Sequence, residues 1–419
     1  MLILGGIILD NRVVITGMGV VSPVGNDVNS FWNNVKDGVC GIDTIKRFDA
    51  GALAVSIDGE VKDFNPKDYY SSIVDIRRSD LFMQYAMAAA CQAVDDSKIL
   101  ESDIDKTRFG VYVGSGIGGI NTFCTEDGKF IAKGPERVSP FFIPMLIGNM
   151  AAGAVAIRFG AMGPSLPVVT ACATSSNTVG EAYRAIKHGY ADAIIAGGSE
   201  AAINELAMAG FINCKALSLS EKPEEGCVPF DKRRGGFVMA EGAGMLILEN
   251  YESAVKRNAK IYAEIAGYGN TCDAYHVTAP HPDGIGAAAA IEMAANEAGI
   301  TGKENIYVNA HGTGTPLNDV METNALKKVF GDDAYKLHIS STKSMTGHML
   351  GAAGAVELIA SALALDEGII PPTINYVEKD EECDLDYTVN GAVKSDLEYA
   401  LSSSLGFGGH NACVAIKRV

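Results

Sequence analysis

Apolar and polar residues alternate along the chain in segments of two kinds. Short runs rich in Val, Ile and Leu, bounded by turn-forming residues, predict buried β-strands. Nine runs are predicted as strands: Val13–Thr16, Gly110–Val113, Leu166–Thr170, Ala193–Ala196, Met245–Leu248, Ile306–Asn309, His338–Ser341, Tyr399–Ser402 and Ala412–Ile416. Longer segments of small apolar residues predict helices over Leu81–Val94, Asn177–Lys187, Gly286–Ala298 and Ala352–Leu365. Strands that alternate with helices predict an α/β fold with buried sheets.

One order of segments occurs twice in the chain. Residues 166–186 and 338–363 each consist of an apolar strand, a turn of small hydroxylated residues and a helix rich in Gly and Ala. Residues 237–248 and 404–416 each read as strand, glycine turn and strand, and they follow in the same order. Such a repeat predicts two similar halves. We place them at residues 1–260 and 261–419.

Composition narrows the range of partners and compartments. The formal net charge of −17 argues against general binding to nucleic acid or to an anionic membrane. None of the nine cysteines forms a CxxC pair, which fits a reducing cytoplasm and small buried cysteines. Glycine accounts for 47 of the 419 residues, well above the average of roughly 7%. Close contacts between small-residue helices and sheets would explain this excess.

Two apolar segments could be mistaken for membrane segments. Met1–Leu9 is too short to span a bilayer and has neither a basic start nor a cleavage site. Met349–Leu365 carries Glu357 at its centre and many small residues, so we interpret it as a buried core helix. We therefore expect a soluble cytoplasmic protein.

Cys172 lies where a predicted strand gives way to a predicted helix. The backbone N–H groups at a helix start lack partners within the helix, and the helix dipole favours negative charge there. A thiolate at this position would be stabilised and could act as a nucleophile. The alternative is a small cysteine packed at a strand–helix junction.

Two histidines follow apolar strands in a similar way. His311 precedes a glycine-rich turn, and His348 lies in the segment that repeats the one around Cys172. Ligands of α/β sheets bind beyond the carboxyl ends of strands, so the three side chains could form one site. Lys343 adds a cation nearby, and Asp319 or Glu322 could pair with it or could lie on a helix surface.

Three glycine- or histidine-rich segments allow more than one interpretation. "SLGFGGHN" (404–411) places Phe407 between glycines and could be a mobile gate or a tight hairpin with a buried aromatic ring. "GSGIGG" (114–119) fits a dinucleotide fingerprint, but no clear helix follows it, so a nicotinamide site is disfavoured. His276 and His281 lack a third metal ligand, and we expect no metal.

Several motifs together resemble the β-ketoacyl-acyl-carrier-protein synthases. They are "TACATSS" around Cys172, "NAHGTGTPLND" around His311, "KSMTGHMLGAAGA" around Lys343 and His348, and "GFGGHN" around Phe407. The resemblance runs from Arg12 to Val419. It implies the thiolase fold, with two similar βαβαβαββ halves in five layers, αβαβα. It also implies a homodimer.

The resemblance implies a decarboxylative Claisen condensation in fatty-acid elongation. Cys172 would accept an acyl chain from acyl-carrier protein, and His311 and His348 would promote decarboxylation of malonyl-carrier protein. Lys343 and Glu322 would be a charged pair that organises the histidines. The backbone N–H groups of Cys172 and Phe407 would bind the oxyanion, with Gly406 and Gly408 shaping the gate. Neither a metal nor an organic cofactor is required.

Further positions follow from the same resemblance. The acyl pocket would be lined by Ile117, Phe141 and Phe142. Substrate-binding residues would be Thr278, Thr313 and Thr315. Contacts with the acidic carrier protein would come from a basic rim of Arg77, Arg78, Arg137 and Lys215.

Four positions depart from the family pattern, and two alternative functions have to be weighed. Ser79 and Leu81 interrupt one of the family motifs. Leu405 stands where a second phenylalanine is common in the gate, and Gly314 replaces a frequent serine. A ketosynthase of a type II polyketide or aryl-polyene pathway has the same catalytic motifs. A non-enzymatic chain-length-factor-like partner would lack the active cysteine, whereas Cys172 is present.

Overall fold

The centre of the molecule is a mixed sheet of ten strands. The computed structural model describes residues 10–419, so the predicted assignment of Met1–Leu9 lies outside the described residues. The strands are β1 (Val13–Val21), β2 (Asp43–Thr44), β3 (Ile57–Asp58), β4 (Phe109–Gly114), β5 (Ser165–Leu166), β6 (Ala193–Glu200), β7 (Gly242–Asn250), β8 (Ala263–Cys272), β9 (Ile306–Asn309), β10 (His338–Ser340), β11 (Ile369–Ile370), β12 (Val393–Lys394), β13 (Tyr399–Gly406) and β14 (His410–Lys417). β2 with β3 and β11 with β12 form small separate sheets.

The ten-stranded sheet consists of two five-stranded halves with one topology. The strand order is β1-β7-β6-β4-β5 in the first half and β8-β14-β13-β9-β10 in the second. In each half the strand that comes first in the chain pairs antiparallel with the strand that comes last: β1 with β7, and β8 with β14. The two strands at the outer edge of each half pair in parallel: β4 with β5, and β9 with β10. The halves join where Val13–Ile15 of β1 pairs with Ala263–Ile265 of β8. The repeat predicted from the sequence is therefore a repeat of topology.

The helices form three layers around these two half-sheets. They are α1 (Val28–Lys36), α2 (Ile73–Arg77), α3 (Leu81–Ser97), α4 (Ile120–Lys133), α5 (Phe142–Leu146), α6 (Met150–Phe159), α7 (Thr174–Lys187), α8 (Glu205–Asn213), α9 (Pro223–Gly226), α10 (Tyr251–Lys256), α11 (Ile285–Ala298), α12 (Pro316–Phe330), α13 (Lys343–Thr346) and α14 (Ala353–Glu367). α3 and α6 cover the outer face of the first half, and α11 with α12 covers the second. α7 and α14 lie between the halves and contact strands of both. This αβαβα arrangement is the expected thiolase fold.

The glycine excess reflects close contacts between helices and strands in both halves. A Cβ atom on Gly19 of β1 would lie 2.0 Å from the carbonyl oxygen of Ala89 on α3. At the corresponding place in the second half, a Cβ atom on Gly269 of β8 would lie 1.8 Å from the carbonyl oxygen of Ala290 on α11. No side chain fits at either position, so the expected role of small residues in packing is confirmed.

The nine predicted strands are all present, but one is much shorter than expected. Leu166–Thr170 is reduced to β5, because β5 is an edge strand and Pro167 cannot donate a ladder hydrogen bond. β8 was not predicted, since its sequence "AEIAGYGNTC" contains two glycines and only two β-branched residues, Ile265 and Thr271. The four predicted helices are confirmed as α3, α7, α11 and α14, with ends shifted by up to three residues.

The long apolar run at Met349–Leu365 is a buried core helix, as predicted. α14 begins at Ala353, and all of its residues as far as Leu365 are buried between the two halves. Among residues 10–419, none of the helices combines the length and the apolar character that a membrane span requires. α14 therefore holds the two halves together from inside, and it carries Glu357 toward the place where chemistry was predicted.

Candidate active site

A pocket of about 370 Å³ opens where strands of both halves end. Cys172, His311, His348 and Phe407 all line it, although they come from four separate turns of the chain. Leu405, Gly406 and Asn411 form one wall, and Phe237, Ala216 and Lys215 lie on another. A pocket of this volume matches the sites that bind small molecules. The structure thus brings the predicted nucleophile, histidines and gate to one cavity.

The nucleophile candidate sits on a strained turn. Cys172 is the middle residue of a single 3₁₀ turn, Ala171–Ala173, which leads directly into α7. Ala171 has a φ of +51°, in the left-handed region that costs a side-chain-bearing residue free energy. The side chain of Asn177 donates to the Thr170 hydroxyl at 2.8 Å and holds the turn from the helix side. The turn presents the Cys172 thiol to the pocket.

Burial dominates the ionisation of Cys172. It raises the pKa of the thiol to about 12, even though the positive charge of Lys343 acts in the opposite direction. The negative charge of Glu200 raises the pKa further, whereas hydrogen bonds from the backbone N–H groups of Phe407 and Cys172 itself lower it. The expectation of a stabilised thiolate is therefore wrong for the free chain, because the helix start lies in an apolar setting. The thiol holds its proton at neutral pH.

The His311 turn is held by a buried carboxylate. The backbone N–H groups of His311 and Gly312 donate to the two oxygens of Glu322, at 2.7 and 2.8 Å. The hydroxyl of Ser403 on β13 also donates to Glu322, at 2.6 Å. Glu322 lies on α12 and is fully buried. It fixes the backbone that carries His311, and it does so without an ion pair.

Lys343 pairs with Glu357, so its predicted pairing with Glu322 is wrong. The ammonium group forms a buried ion pair with the Glu357 carboxylate, which reaches it from α14. Asp319 does not pair with Lys343 either. Its carboxylate is buried and accepts from the backbone N–H of Phe230 at 2.8 Å. Both carboxylates of α12 face the interior, so neither is a helix-surface group.

Lys343 also determines which nitrogen of His311 carries the proton. Its Nζ atom lies 3.4 Å from Nδ1 of His311. Because an ammonium group can only donate, Nδ1 is the acceptor and the proton lies on Nε2. Lys343 therefore acts behind His311 as a positioning residue.

His348 is buried, and neither of its ring nitrogens has a hydrogen-bond partner among residues 10–419. Its backbone is fixed by a hydrogen bond to Val238 at 2.7 Å, and its ring packs edge-on against Phe237. The rings of His311 and His348 are 5.3 Å apart and nearly perpendicular. Both nitrogens of His348 are therefore available to a ligand in the pocket.

Both histidines are neutral in the free chain. Burial lowers the pKa of His311 well below its usual value, and the positive charge of Lys343 and the neighbouring imidazole of His348 lower it further. Burial and Lys343 have the same effect on the pKa of His348. A neutral imidazole carries one N–H donor, so the pocket holds two N–H donors without a positive charge on either ring.

The gate turn lies directly against the nucleophile turn. Phe407 lies in the hairpin between β13 and β14, and Gly408 and Gly409 take positive φ angles. A Cβ atom on Gly406 would lie 2.8 Å from the carbonyl oxygen of Thr170 and 3.1 Å from the backbone nitrogen of Cys172. Glycine at this position lets the hairpin approach closely enough for the Phe407 N–H to reach the Cys172 sulfur.

Two of the departures from the family pattern, Gly314 and Leu405, lie near the site. Gly314 has a φ of +75°, a conformation that suits glycine better than the serine frequent there. Leu405 lines the pocket and packs into the core of the second half. A leucine beside Phe407 thus forms part of the pocket wall.

The remaining predicted residues fall into two groups. Thr278, Thr313, Thr315 and Lys215 line the pocket. The other group does not line it: Ile117, Phe141, Phe142, Arg77, Arg78 and Arg137. Arg78 instead stacks over the ring of Phe141 at 4.2 Å. Within one chain, the three arginines predicted for the basic rim and the three residues predicted for the acyl pocket therefore do not line this cavity.

Sequence reasoning missed three residues that support the site. Glu357 was noted only as a charge within an apolar run, and that mismatch was the signal for a buried ion pair. Ser403 and Glu200 gave no signal, because each lies within an ordinary buried strand, Ser403 in β13 and Glu200 at the end of β6. Among residues 10–419, no cluster of three or more His, Cys, Asp or Glu side chains is arranged to hold a metal ion.

Family models match both halves of the chain. The model described as the N-terminal domain of β-ketoacyl synthase matches residues 10–254, and the model of the C-terminal domain matches residues 262–377. The chain belongs to the β-ketoacyl synthase family. The pocket therefore lies at the junction of the two domains of that family, with Cys172 from the first and both histidines from the second.

Two relatives with one name align with this chain over almost its whole length. A 3-oxoacyl-[acyl-carrier-protein] synthase 2 of Staphylococcus aureus is 51% identical, over 98% of this chain and 99% of its own. A protein of the same name from Synechocystis is 48% identical, over 97% and 98%. A β-ketoacyl synthase from Burkholderia phymatum has a TM-score of 0.90 at 32% identity, over 98% of this chain and its whole length.

Solved structures from polyketide synthesis are also similar. The ketosynthase of a type II polyketide synthase, in complex with its acyl-carrier protein, has a TM-score of 0.89 at 36% identity. It is covered over its full length, and 98% of this chain is matched. The family thus includes members of more than one pathway.

Proposed function

We propose that this enzyme elongates acyl chains by decarboxylative Claisen condensation, giving 3-oxoacyl-carrier protein and CO₂. One observation carries the proposal: the Cys172 sulfur lies under two backbone N–H groups, in a pocket shared with two neutral histidines. A nucleophile, an oxyanion site and paired N–H donors are the groups that such a reaction requires. The proposed substrates are acyl- and malonyl-acyl-carrier protein.

The first half-reaction transfers the acyl chain to Cys172. The thiol loses its proton as its sulfur attacks the acyl thioester. The acceptor is the unprotonated ring nitrogen of neutral His348, because His311 accepts from Lys343 at Nδ1 and carries its own proton on Nε2. The oxyanion that forms is held by the backbone N–H groups of Cys172 and Phe407. The carrier thiol then leaves with a proton, and an acyl-Cys172 thioester remains.

The second half-reaction couples decarboxylation to carbon–carbon bond formation. Loss of CO₂ from the malonyl group leaves an enolate, whose oxyanion accepts hydrogen bonds from His311 Nε2–H and from His348. The carbanion attacks the acyl-Cys172 carbonyl, and the thiolate of Cys172 leaves from the tetrahedral intermediate. The thiolate then regains a proton. No step of this route needs a metal or an organic cofactor.

Fatty-acid elongation is the pathway we propose. The relatives named 3-oxoacyl-[acyl-carrier-protein] synthase 2 share 51% and 48% of their residues with this chain, whereas the polyketide ketosynthase structure shares 36%. That structure supports a second candidate, a ketosynthase of a type II polyketide or aryl-polyene pathway. The two candidates differ in the acyl chains that they extend.

A chain-length profile tests the function and separates the candidates. Purified enzyme is incubated with malonyl-carrier protein and three kinds of acyl-carrier protein: saturated chains from C2 to C18, unsaturated chains, and aromatic starters. CO₂ and 3-oxoacyl product are measured. Elongation of saturated chains supports fatty-acid synthesis. Turnover restricted to unsaturated or aromatic starters would favour the second candidate, and release of no condensation product with any starter would refute the reaction.

We further propose that Lys215 contacts the acidic carrier protein at the opening of the pocket. Arg77, Arg78 and Arg137 do not line this pocket and would contact the carrier protein elsewhere on its surface. Lys215 is the member of this set that lines the catalytic pocket. The chain has a net charge of −17, so a local positive charge at the opening is needed to attract an acidic partner.

Lys215→Glu should raise the KM for acyl-carrier protein several-fold, because a charge is reversed beside the opening. The KM for a short acyl-N-acetylcysteamine thioester, which has no carrier protein, should stay unchanged. Lys328→Glu makes the same charge change on an exposed part of α12 and serves as the control. An unchanged KM for the carrier substrate in Lys215→Glu would place the rim elsewhere.

We also propose that the enzyme is a cytoplasmic homodimer. The free edge of the first half-sheet, at β5, is surrounded by exposed apolar side chains, among them Ile157 (82% exposed), Met162 (67%), Leu166 (48%) and Val169 (57%). Exposed edges and apolar patches of this kind are usually covered. Ile117 is exposed too, so a partner subunit would complete the acyl pocket there. All nine cysteines are unpaired, which fits a reducing compartment.

Sedimentation equilibrium should give twice the mass of one chain at micromolar concentration. Leu166→Lys places a charge on the β5 edge and should shift the mass toward that of a monomer. Val255→Glu, on the exposed face of α10, alters an apolar residue away from this edge and should not. A monomeric wild type would overturn the proposed assembly.

A further inference from the structure

Glu200 is a buried carboxylate that the proposed mechanism does not use. It is the last residue of β6, it is fully buried, and no cation among the described residues forms an ion pair with it. Burial raises its pKa to about 7, although several hydrogen bonds act in the opposite direction. A carboxylate in such a place costs free energy unless its hydrogen bonds compensate.

Four donors converge on this carboxylate from two different turns. Oε1 accepts from the Ser115 hydroxyl at 2.9 Å and from the Ile117 N–H at 3.2 Å. Oε2 accepts from the Gly116 N–H at 2.9 Å and from the Gly351 N–H at 3.0 Å. Ser115 to Ile117 form the turn after β4, in the first half of the molecule. Gly351 lies three residues after His348, in the second half.

The two turns are in direct backbone contact at Glu200. A Cβ atom on Gly351 would lie 2.5 Å from the backbone nitrogen of Gly116 and 2.8 Å from Oε2 of Glu200. A Cβ atom on Gly116 would in turn lie 3.5 Å from the carbonyl oxygen of Ala171, in the turn that carries Cys172. Three turns therefore meet around one carboxylate. A side chain at Gly351 would not fit against the Gly116 turn, whereas Gly116 and Ala171 are at an ordinary contact distance.

We propose that Glu200 is a positioning residue that ties the Ile117 turn to the segments carrying Cys172 and His348. Through this contact, the turn proposed to line the acyl pocket and the two reacting groups keep a fixed relative position. The assignment of catalytic roles rests on the proposed function, but the coupling of Glu200 to Cys172 does not. Glu200 touches neither substrate nor reacting atoms, and it acts through its neighbours.

The chemistry of the site requires a carboxylate there. Each oxygen accepts two hydrogen bonds, and a glutamine would replace one oxygen with an NH₂ group that cannot accept. The least costly orientation keeps the amide oxygen toward Gly116 and Gly351 and leaves the Ile117 N–H without its partner. Aspartate keeps both oxygens and the charge, but it is one methylene too short to reach all four donors.

Glu200 also acts on Cys172 through its charge. Its negative charge raises the pKa of the Cys172 thiol, whereas Lys343 lowers it. Loss of the charge in Glu200→Gln should therefore lower the pKa of Cys172. Loosening of the fold around Cys172 would also lower this pKa, because burial is the main cause that raises it. The specific readout is therefore the difference between Glu200→Gln and Glu200→Asp, since only the first loses the charge.

The experiment combines three variants with two readouts. The variants are Glu200→Gln, Glu200→Asp and Glu249→Gln. Glu249 is also a buried carboxylate, but it lies on the neighbouring strand β7, near the end of that strand. The first readout is the rate of Cys172 alkylation by iodoacetamide as a function of pH. The second is kcat and KM for acyl chains of different length, with thermal unfolding as a check that each variant folds.

Glu200→Gln should be alkylated several-fold faster than wild type at pH 8, while its kcat for long acyl chains falls about tenfold. Glu200→Asp should keep the wild-type alkylation profile and still lose kcat, which separates charge from geometry. Glu249→Gln should match wild type in both readouts.

Two results would overturn the proposal. One is an alkylation profile of Glu200→Gln that coincides with those of wild type and Glu249→Gln. The other is a wild-type kcat in both Glu200 variants. If wild type itself fails to condense substrates, the proposed function is refuted, while the alkylation comparison still decides whether Glu200 is coupled to Cys172.

Discussion

Cys172→Ala should lower the rate of condensation by at least about 10⁴-fold, because it removes the covalent nucleophile. The acyl chain then has no sulfur to which it can be transferred, so no acyl-enzyme accumulates. Decarboxylation of malonyl-carrier protein should persist, because His311 and His348 remain in place. Parallel measurements of CO₂ and of 3-oxoacyl product distinguish the two half-reactions.

The control for this variant is Cys124→Ala, which removes a partly buried thiol on α4 outside the pocket. It should retain wild-type rates for both half-reactions. Mass spectrometry of the enzyme after incubation with acyl-carrier protein should locate the acyl group on Cys172 in wild type and in Cys124→Ala. Wild-type condensation by Cys172→Ala would show that the nucleophile lies elsewhere.

The pH dependence of the thiol gives a further measurement within the same prediction. Because burial raises the pKa of Cys172 to about 12, the thiolate fraction grows roughly tenfold per pH unit across the neutral range. Alkylation by iodoacetamide should follow this rise without a plateau between pH 6 and 9. A plateau near neutral pH would mean that the thiolate is stabilised in the free enzyme.

The outcome at Cys172 shows what sequence reasoning could reach at this site. The position of the thiol at a helix start was readable from the strand, turn and helix pattern around it. The pKa of the thiol could not be read from that pattern. It depends on burial and on the charges of Lys343 and Glu200, which are distant in sequence. Local pattern located the group, and tertiary contacts determined its ionisation.

The pairing of Lys343 illustrates the same limit. Glu322 and Glu357 both carry a carboxylate on a helix that follows a catalytic turn, and the sequence does not distinguish between them. The fold decides, because α14 passes between the two halves and carries Glu357 to the ammonium group. Glu322 is oriented instead toward the backbone of His311.

The overall fold was easier to predict from the sequence than the ionisation of the site, because it depends on periodic patterns of apolar residues that occur in each half. Apolar strands and small-residue helices gave the repeat, and the matching strand orders confirm it. β8 was missed because its glycines serve close packing against α11 and weaken its strand pattern. The packing of β8 against α11 therefore requires glycines that make the strand hard to recognise in the sequence.

His311→Ala and His348→Ala should each slow malonyl decarboxylation by about 10²- to 10³-fold, the usual cost of removing one donor from an oxyanion site. The enolate oxygen would lose one of its two N–H donors in each variant. Acyl transfer to Cys172 should be less affected, because its oxyanion is held by the backbone N–H groups of Cys172 and Phe407. The measurement is CO₂ release compared with acyl-enzyme formation.

His188→Ala is the matched control, since it removes an exposed histidine at the end of α7 and should change neither rate. The pH profile adds a second criterion. Burial and the charge of Lys343 depress the pKa of both histidines, so each stays neutral until the pH falls well below 6.5. Decarboxylation should therefore show no loss between pH 8 and pH 6 from histidine protonation. A rate that falls through this range with an apparent pKa near 6.5 in wild type, and not in the variants, would show that the histidines titrate as exposed groups and contradict their buried, neutral role.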